Sequence, residues 1–299
     1  MPEPRRLLTA KLTAYLAAAW WHGTAANVQQ RNLRPTTLTH KAKFDPRRAH
    51  RPPCWASEGE GRGLFGSTAH LYDLIYEAAG KDYAAESAEL HELIGARNPS
   101  ATSLLDVACG TGAHLAHLRA WYEVAGVDVD PAMLAQARRQ LPEAVPLIEA
   151  DMRSFSLGRR FDAVICLFSS IGYMASAAEL ESAVAAMADH LQPGGVLILD
   201  GWVRPEKWRD PGTVHVLVAE RPEVSVVRVA RSRRQGRTTH LEMHHLVATL
   251  DGVEHLVDHH TLTLFAPEEY EAALAGAGVD FEVLPSPMPG RDRYVATRR

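Results

Sequence analysis

The chain has 299 residues, 46% of them hydrophobic and 23% charged, enough for a sizeable core in one or two domains, and no apolar run reaches the length of a membrane span. Net charge is -4 but uneven: residues 1–57 hold 10 Lys and Arg against 2 Asp and Glu, a balance of +8, so the remainder carries -12, which argues against a nucleic-acid partner. Cys54, Cys109 and Cys166 show neither paired nor metal-ligand spacing, which fits a reducing, cytoplasmic setting.

Residues 1–60 read as a disordered N-terminal extension. They are Arg-rich and acid-poor, as a targeting peptide is, but "RNLRPTTLTHKAKFDPRRAHRPPCW" has Pro, polar residues and no clear period. Residues 61–203 are expected to form a Rossmann-like α/β core. Apolar residues at helical spacing around Leu71, Leu74, Ile75, Leu90 and Leu93 lead into it. "SLLDVA", "EVAGVDV", "AVPLIEA", "FDAVICLF" and "GGVLILDGW" read as strands, with "GAHLAHLRAW", "PAMLAQARRQL" and "AAELESAVAAMADHL" as helices between them. Buried strands alternating with helices predict a parallel, doubly wound sheet. Residues 204–265 change style, to four strand-like stretches separated by turns, and predict an added small antiparallel sheet on the substrate side. Residues 266–299 predict a helix from Pro267 and one more strand returning to the main sheet.

The stretch "DVACGTG" leaves a strand and opens a helix. Gly110 and Gly112 let the backbone turn tightly and approach a ligand. The dinucleotide spacing G-x-G-x-x-G fails at Leu115, and the Lys and Ser/Thr of a P-loop are missing. Asp128, 22 positions after Asp106, ends the next strand, where a carboxylate can accept both hydroxyls of a ribose. Asp151 and Met152 follow the third strand and suit an adenine amino group and ring face. Taken singly, Asp128 reads equally as a helix N-cap beside Pro131, and Met152 as core. Their order at successive strand ends favours a nucleoside site.

This set resembles the class I S-adenosylmethionine-dependent methyltransferases, with "DVACGTG", Asp128 and "ADM" in the places of their first three motifs. "LYDLIY", "GKDYAAE", "DMRSFSLGRRFDAV", "FSSIGYM", "LEMHHLVA" and "TLFAPEEYEAALAGAG" are similar to the N-methyltransferases of thymidine-diphosphate (dTDP) 3-amino sugars. Those enzymes make the dimethylamino deoxysugars, desosamine and mycaminose among them, of macrolide-type antibiotics. The resemblance implies S-adenosyl-L-methionine as cofactor and a dTDP-amino sugar as partner. It implies cofactor contacts at Tyr72, Ala108, Asp128, Asp151, Met152 and Leu167. Four segments depart from the family pattern. Tyr173 stands where the family has His, and Leu64, beside Phe65, where it commonly has Tyr. "DGWVRPE" keeps Trp202, Pro205 and Glu206, and "MPGRDRY" keeps Gly290 and Arg291.

Methyl transfer needs a neutral amine lone pair held in line with the methyl carbon. Tyr173 is the candidate catalytic residue, orienting the amine rather than acting as base, since a free Tyr has pKa about 10; packing at a strand end is its alternative. Trp202 is a candidate wall for the thymine or sugar, or a core residue. Arg291 suits a diphosphate, with Arg293 as the competing arginine. The histidines His240, His244, His245, His255, His259 and His260 fall on predicted strands without a compact ligand pattern, so no metal is expected. Other readings are a different small-molecule N- or O-methyltransferase and a non-catalytic binding protein. A base-amine methyltransferase would carry [DN]-P-P-[YF] where this chain has "LFSS". A homodimer is left open.

Overall fold

Five strands of the main sheet run parallel, four of them largely buried and the one at the sheet edge only partly so, and helices carry most of the crossovers between them. In the computed structural model, which describes residues 64–299, these are β1 (Ser103–Val107), β2 (Glu123–Asp128), β3 (Leu147–Glu149), β4 (Phe161–Cys166) and β5 (Leu191–Asp200). The expected N-terminal extension, with Cys54, lies outside the described residues. The helices are α1 (Tyr72–Ala78), α2 (Tyr83–Gly95), α3 (Ala113–Leu118), α4 (Pro131–Gln140), α5 (Ala177–Asp189) and α6 (Pro267–Gly276). The helical stretch before β1 is two helices, because Gly80 turns left-handed (φ 89°) and the Asp82 carboxylate caps α2 by accepting the Ala85 N–H at 2.9 Å.

The C-terminal segment adds two strands where one was expected. β10 (Val279–Pro285) and β11 (Asp292–Arg298) form a hairpin around the Pro-rich turn, and β11 pairs antiparallel with β5. The seven-stranded order is β10-β11-β5-β4-β1-β2-β3. Adjacent strand residues point to opposite faces, so Leu105, Val107, Ala125 and Val127 pack on α5 and α6, while Leu104, Val124, Ala163 and Ile165 pack on α2, α3 and α4.

The predicted second sheet is present as an antiparallel meander of β6 (Val214–Arg221), β7 (Val224–Gln235), β8 (Thr238–Thr249) and β9 (Gly252–Thr263). Its inner face, with Leu217, Ala219, Val226 and Val247, buries Leu71, Leu74 and Ile75 beside α1. Its outer face exposes Val214, Val216, Val218, Leu246 and Val253. The "RSRRQGR" run is the β7–β8 hairpin. The end of β9 meets the Ser170–Tyr173 turn after β4 through the cluster of Trp202, Val203, Trp208, Leu262 and Leu264.

One buried ion pair joins β5, β11 and the turn after β4. Arg293 Nε donates to Asp200 Oδ1 at 2.7 Å, with side chains 5% and 4% exposed. Arg293 Nη1 also donates to Glu89 at 3.0 Å, and the Phe168 N–H donates to Asp200 Oδ2 at 3.2 Å. Replacing Arg293 by Met strands a buried carboxylate, so Arg293→Met should lower unfolding free energy by about 3–5 kcal/mol. Denaturant titration checks this, and a loss below about 1 kcal/mol would show the pair to be dispensable.

Candidate active site

The strand order reverses between β1 and β4, so the chain leaves these neighbours in opposite directions and a crevice opens at their carboxyl ends. A cavity of about 900 Å3 occupies this position and extends under the small sheet. That is the large end of the range for ligand sites, about 300–1,000 Å3. The left-handed non-glycine residues among those described are Ala108 (φ 61°), Phe168 (φ 55°) and Ser169 (φ 66°), at the ends of β1 and β4. All three line the cavity. Backbone strain of about 1–3 kcal/mol per residue persists only where the surroundings impose it, and it gathers at functional sites.

The glycine loop provides the floor. Gly110 is left-handed (φ 56°), and a Cβ there would meet nothing within 4 Å, because the position opens into the cavity. Its N–H donates to Asp128 Oδ2 at 2.7 Å. Gly112 serves packing instead: at φ 75° it opens α3, and a Cβ would sit 2.7 Å from Leu141 Cδ1. Gly112 does not line the cavity, so the expected ligand approach belongs to Gly110.

Asp128 is free of the capping role that competed for it. The N-cap of α4 is Asp130, whose Oδ1 accepts from Ala132 at 2.8 Å and whose Oδ2 accepts the Phe65 N–H at 2.7 Å. Asp128 accepts from Gly110 and, at 2.8 Å, from the Asp130 N–H, which leaves lone pairs on both oxygens for a diol. Burial raises its carboxyl pKa against the lowering pull of those backbone donors. Asp151 and Met152 also line the cavity. Arg153 donates to both Asp151 oxygens, at 3.0 and 2.5 Å, and these bonds hold that carboxyl below its ordinary pKa. Val129, 50% exposed, faces the same region and carried no signal in the sequence beyond following Asp128.

Leu167 departs from expectation. Its side chain is buried with Leu104, Ile165 and Ile198, and the next residue, Phe168, turns left-handed and presents its ring to the cavity. Only the Leu167 carbonyl faces the turn, where it accepts from the Ser170 N–H and hydroxyl at 3.2 and 3.1 Å. Tyr72 lines the cavity within an aromatic cluster. Phe65 packs edge-on at 5.3 Å, Tyr76 lies at 4.5 Å, and Phe168 packs edge-on to Tyr76 at 4.9 Å. The Thr111 hydroxyl donates to Asp73 at 2.7 Å and ties α1 to the glycine loop.

On the far side, Trp202 and Arg291 are one unit. The Arg291 guanidinium lies 4.5 Å from the Trp202 ring centroid, and its Nη1 donates to Ser169 Oγ at 3.0 Å. Burial pulls its pKa down to about 10, which still leaves it charged near neutrality. Arg293 is committed to Asp200 and Glu89, so of these two arginines it is Arg291 that lines the cavity. Arg209 and Arg228 line the cavity too, Arg228 with its guanidinium 5.4 Å from the Tyr76 ring centroid. Tyr173 reaches the cavity with its hydroxyl 2.9 Å from Nδ1 of His260. The sequence counted His260 only among a scattered set. Their tasks differ: His245 faces Asp258 at 3.1 Å, and His244 stacks on His255.

The left-handed Gly110 cradle, the buried diol acceptor at Asp128 and the acceptor at Asp151 fit a neutral nucleoside carrying a positive sulfonium. A methyltransferase-domain family model matches residues 104–195. The chain is similar to the dTDP-3-amino-3,4,6-trideoxy-alpha-D-glucopyranose N,N-dimethyltransferase of Streptomyces venezuelae, 46% identical over 76% of this chain and 96% of the relative. It is 42% identical to the dTDP-4-amino-2,3,4,6-tetradeoxy-D-glucose N,N-dimethyltransferase of Saccharopolyspora spinosa, over 77% of this chain and 92% of that protein. Among solved structures it is similar to SAM-bound CalS10, an amino pentose methyltransferase from Micromonospora echinaspora involved in calicheamicin biosynthesis, with 43% identity and a TM-score of 0.70 over 77% and 97% of the two chains.

Hydrogen bonds to a charged group contribute about 1.5–3 kcal/mol each. Asp128→Asn should therefore weaken cofactor binding about 10–100-fold by calorimetry. Because burial raises the folded pKa of Asp128, the wild-type affinity should fall on acidification before pH reaches the ordinary aspartate range, about 4. The Asn variant should lack that acid limb, and an unchanged limb would assign it to another group.

Proposed function

Since the chain belongs to the dTDP-amino-sugar N,N-dimethyltransferase family of SAM-dependent methyltransferases, we propose that it methylates the amino group of a dTDP-linked amino deoxysugar. The single observation that carries this reading is one continuous cavity lined by both carboxylates and arginines. Carboxylates Asp128 and Asp151 line it at the ends of β2 and β3, where Arg153 pairs with Asp151, and Arg209, Arg228 and Arg291 line it as well. A nucleoside bearing a cation suits the carboxylates and a nucleoside diphosphate the arginines.

S-adenosyl-L-methionine supplies an electrophilic methyl group when bound. Tyr72, Ala108, Gly110, Asp128, Asp151 and Met152, which all line the cavity, hold it, whereas Leu167 is buried with Leu104, Ile165 and Ile198. Arg291 grips the diphosphate, kept rigid by Trp202 beneath it and Ser169 beside it. Trp202 itself walls the sugar side. Tyr173 orients the amine. Burial drives its pKa upward, so it remains a neutral phenol and leaves proton removal to water. The aromatic cluster of Phe65, Tyr72, Tyr76 and Phe168 keeps water from the reacting centre. In this division the cofactor residues lie within 61–203, and the sugar side draws on Tyr173 and Trp202 from the same segment, on 204–265 and on Arg291 from 266–299. No helix among the described residues is long and apolar enough to cross a membrane. The buried free thiols Cys109 and Cys166 support a cytoplasmic location.

The test is incubation of the chain with S-adenosyl-L-methionine and a panel of dTDP-3-amino and dTDP-4-amino deoxysugars, read by mass. Stepwise gain of one and then two methyl groups on at least one member is expected. No methylated product on any member would overturn the reading. On the sugar that is turned over, Arg291→Met should raise KM for the sugar nucleotide about 10–100-fold with cofactor affinity unchanged, as the loss of a charge-assisted hydrogen bond dictates.

A further inference from the structure

Tyr173 has a partner whose placement sets what its hydroxyl can do. The oxygen lies 2.9 Å from Nδ1 of His260 on β9, and the Phe65 ring packs 4.8 Å from the imidazole. His260 is 3% exposed, and its Nε2 has no hydrogen-bond partner among the described residues. Both Tyr173 and His260 line the cavity.

A phenol can donate or accept, and for N-methylation only one of these helps. The amine nitrogen must aim its lone pair at the methyl carbon. The new C–N bond forms from that pair as the C–S pair departs with sulfur, and the product ammonium then releases a proton to water. A Tyr173 O–H pointed at the amine would occupy the reacting pair. The phenol proton therefore has to be engaged elsewhere. Phenol is the stronger donor and imidazole nitrogen the stronger acceptor, so the bond O–H···Nδ1 directs the proton away from the amine.

On the reading that the reaction is amine methylation, we propose that His260 is a positioning residue: it accepts the Tyr173 hydroxyl proton and leaves only the phenol lone pairs facing the substrate amine. Those lone pairs accept an amine N–H and turn the nitrogen lone pair toward the methyl group. His260 is not the destination of the substrate proton. Burial lowers its pKa to about 4; His245, His259 and Arg228 push the same way, and Asp258 pulls it up. An aliphatic ammonium, with pKa about 10, does not yield its proton to such a base at equilibrium. The imidazole stays neutral, and the Tyr173 hydroxyl stays oriented, across the neutral range.

The full chain tests this in two ways. In kinetics, His260→Leu should lower kcat about 10–100-fold, the scale of a misoriented reacting group, with cofactor affinity unchanged. His260→Asn, whose side-chain oxygen can accept in the place of Nδ1, should recover most of the loss. In a Tyr173→Phe background, His260→Leu should have no further effect. Losses that multiply in the double variant would mean that His260 does not act through Tyr173, and the proposal falls. If the wild type methylates no amine, the functional reading fails, but the polarity of the pair is still decided by nitrogen-15 NMR of the imidazole. A neutral ring protonated at Nε2, with an Nδ1 shift that moves in Tyr173→Phe, is expected. A ring protonated at Nδ1 overturns the proposal whatever the substrate. Should His260→Leu fail to fold by thermal unfolding, the Asn variant and the NMR measurement carry the test.

Discussion

Reversal of the chain between β1 and β4 is the constraint on which the site depends. Two parallel neighbours cannot send their connections to opposite faces without opening a gap at their carboxyl ends. Ala108 after β1, and Phe168 with Ser169 after β4, take up that divergence in left-handed conformations that only strong local bonding sustains. The bonding is visible. The Cys109 N–H donates to the Val127 carbonyl at 3.0 Å, the Phe168 N–H to Asp200, and the Ser169 hydroxyl to the Gly201 carbonyl at 2.7 Å. Asp200 is in turn held by buried Arg293. Stability elsewhere in the sheet thus maintains strain at the ligand crevice.

The small sheet completes what the crevice begins. An open α/β sheet offers a shallow site for a nucleoside, and a second substrate needs a wall facing it. Strands β7 to β9, of 12 residues each, are long enough to pack on Leu71, Leu74 and Ile75 near one end and to bring Leu262 and His260 to the turn after β4 near the other. The cavity between the sheets is lined by carboxylates at the ends of β2 and β3 and by arginines from several segments, Arg228 on β7 and Arg291 just before β11 among them.

Much of the crevice at the carboxyl ends of β1 to β3 was legible because its determinants are local. A strand, a glycine turn and a helix leave a contiguous pattern, and Asp128, Asp151 and Met152 follow strand ends in register with it. The residues that turn away from the cavity do so for reasons that are equally physical. Gly112 and Gly110 look alike in sequence, yet one backs onto Leu141 and the other opens into the cavity. Leu167 and Phe168 are adjacent, and a left-handed turn, invisible in the letters, decides which side chain faces the ligand space. The C-terminal hairpin reads as one strand in sequence because its Pro-rich turn obscures the pairing of β10 with β11.

Taken alone, the sequence determined the layered α/β architecture, the antiparallel insertion after β5 and the class of cofactor, since strand periodicity and glycine turns act over a few residues. Pairings between distant segments required the tertiary structure. The choice of Arg291 over Arg293 depends on Asp200 having engaged Arg293, 93 residues away. The partnership of Tyr173 with His260 spans 87 residues. Hydrogen-bond geometry between such positions is set by how two sheets pack, and no short-range pattern in the chain encodes it.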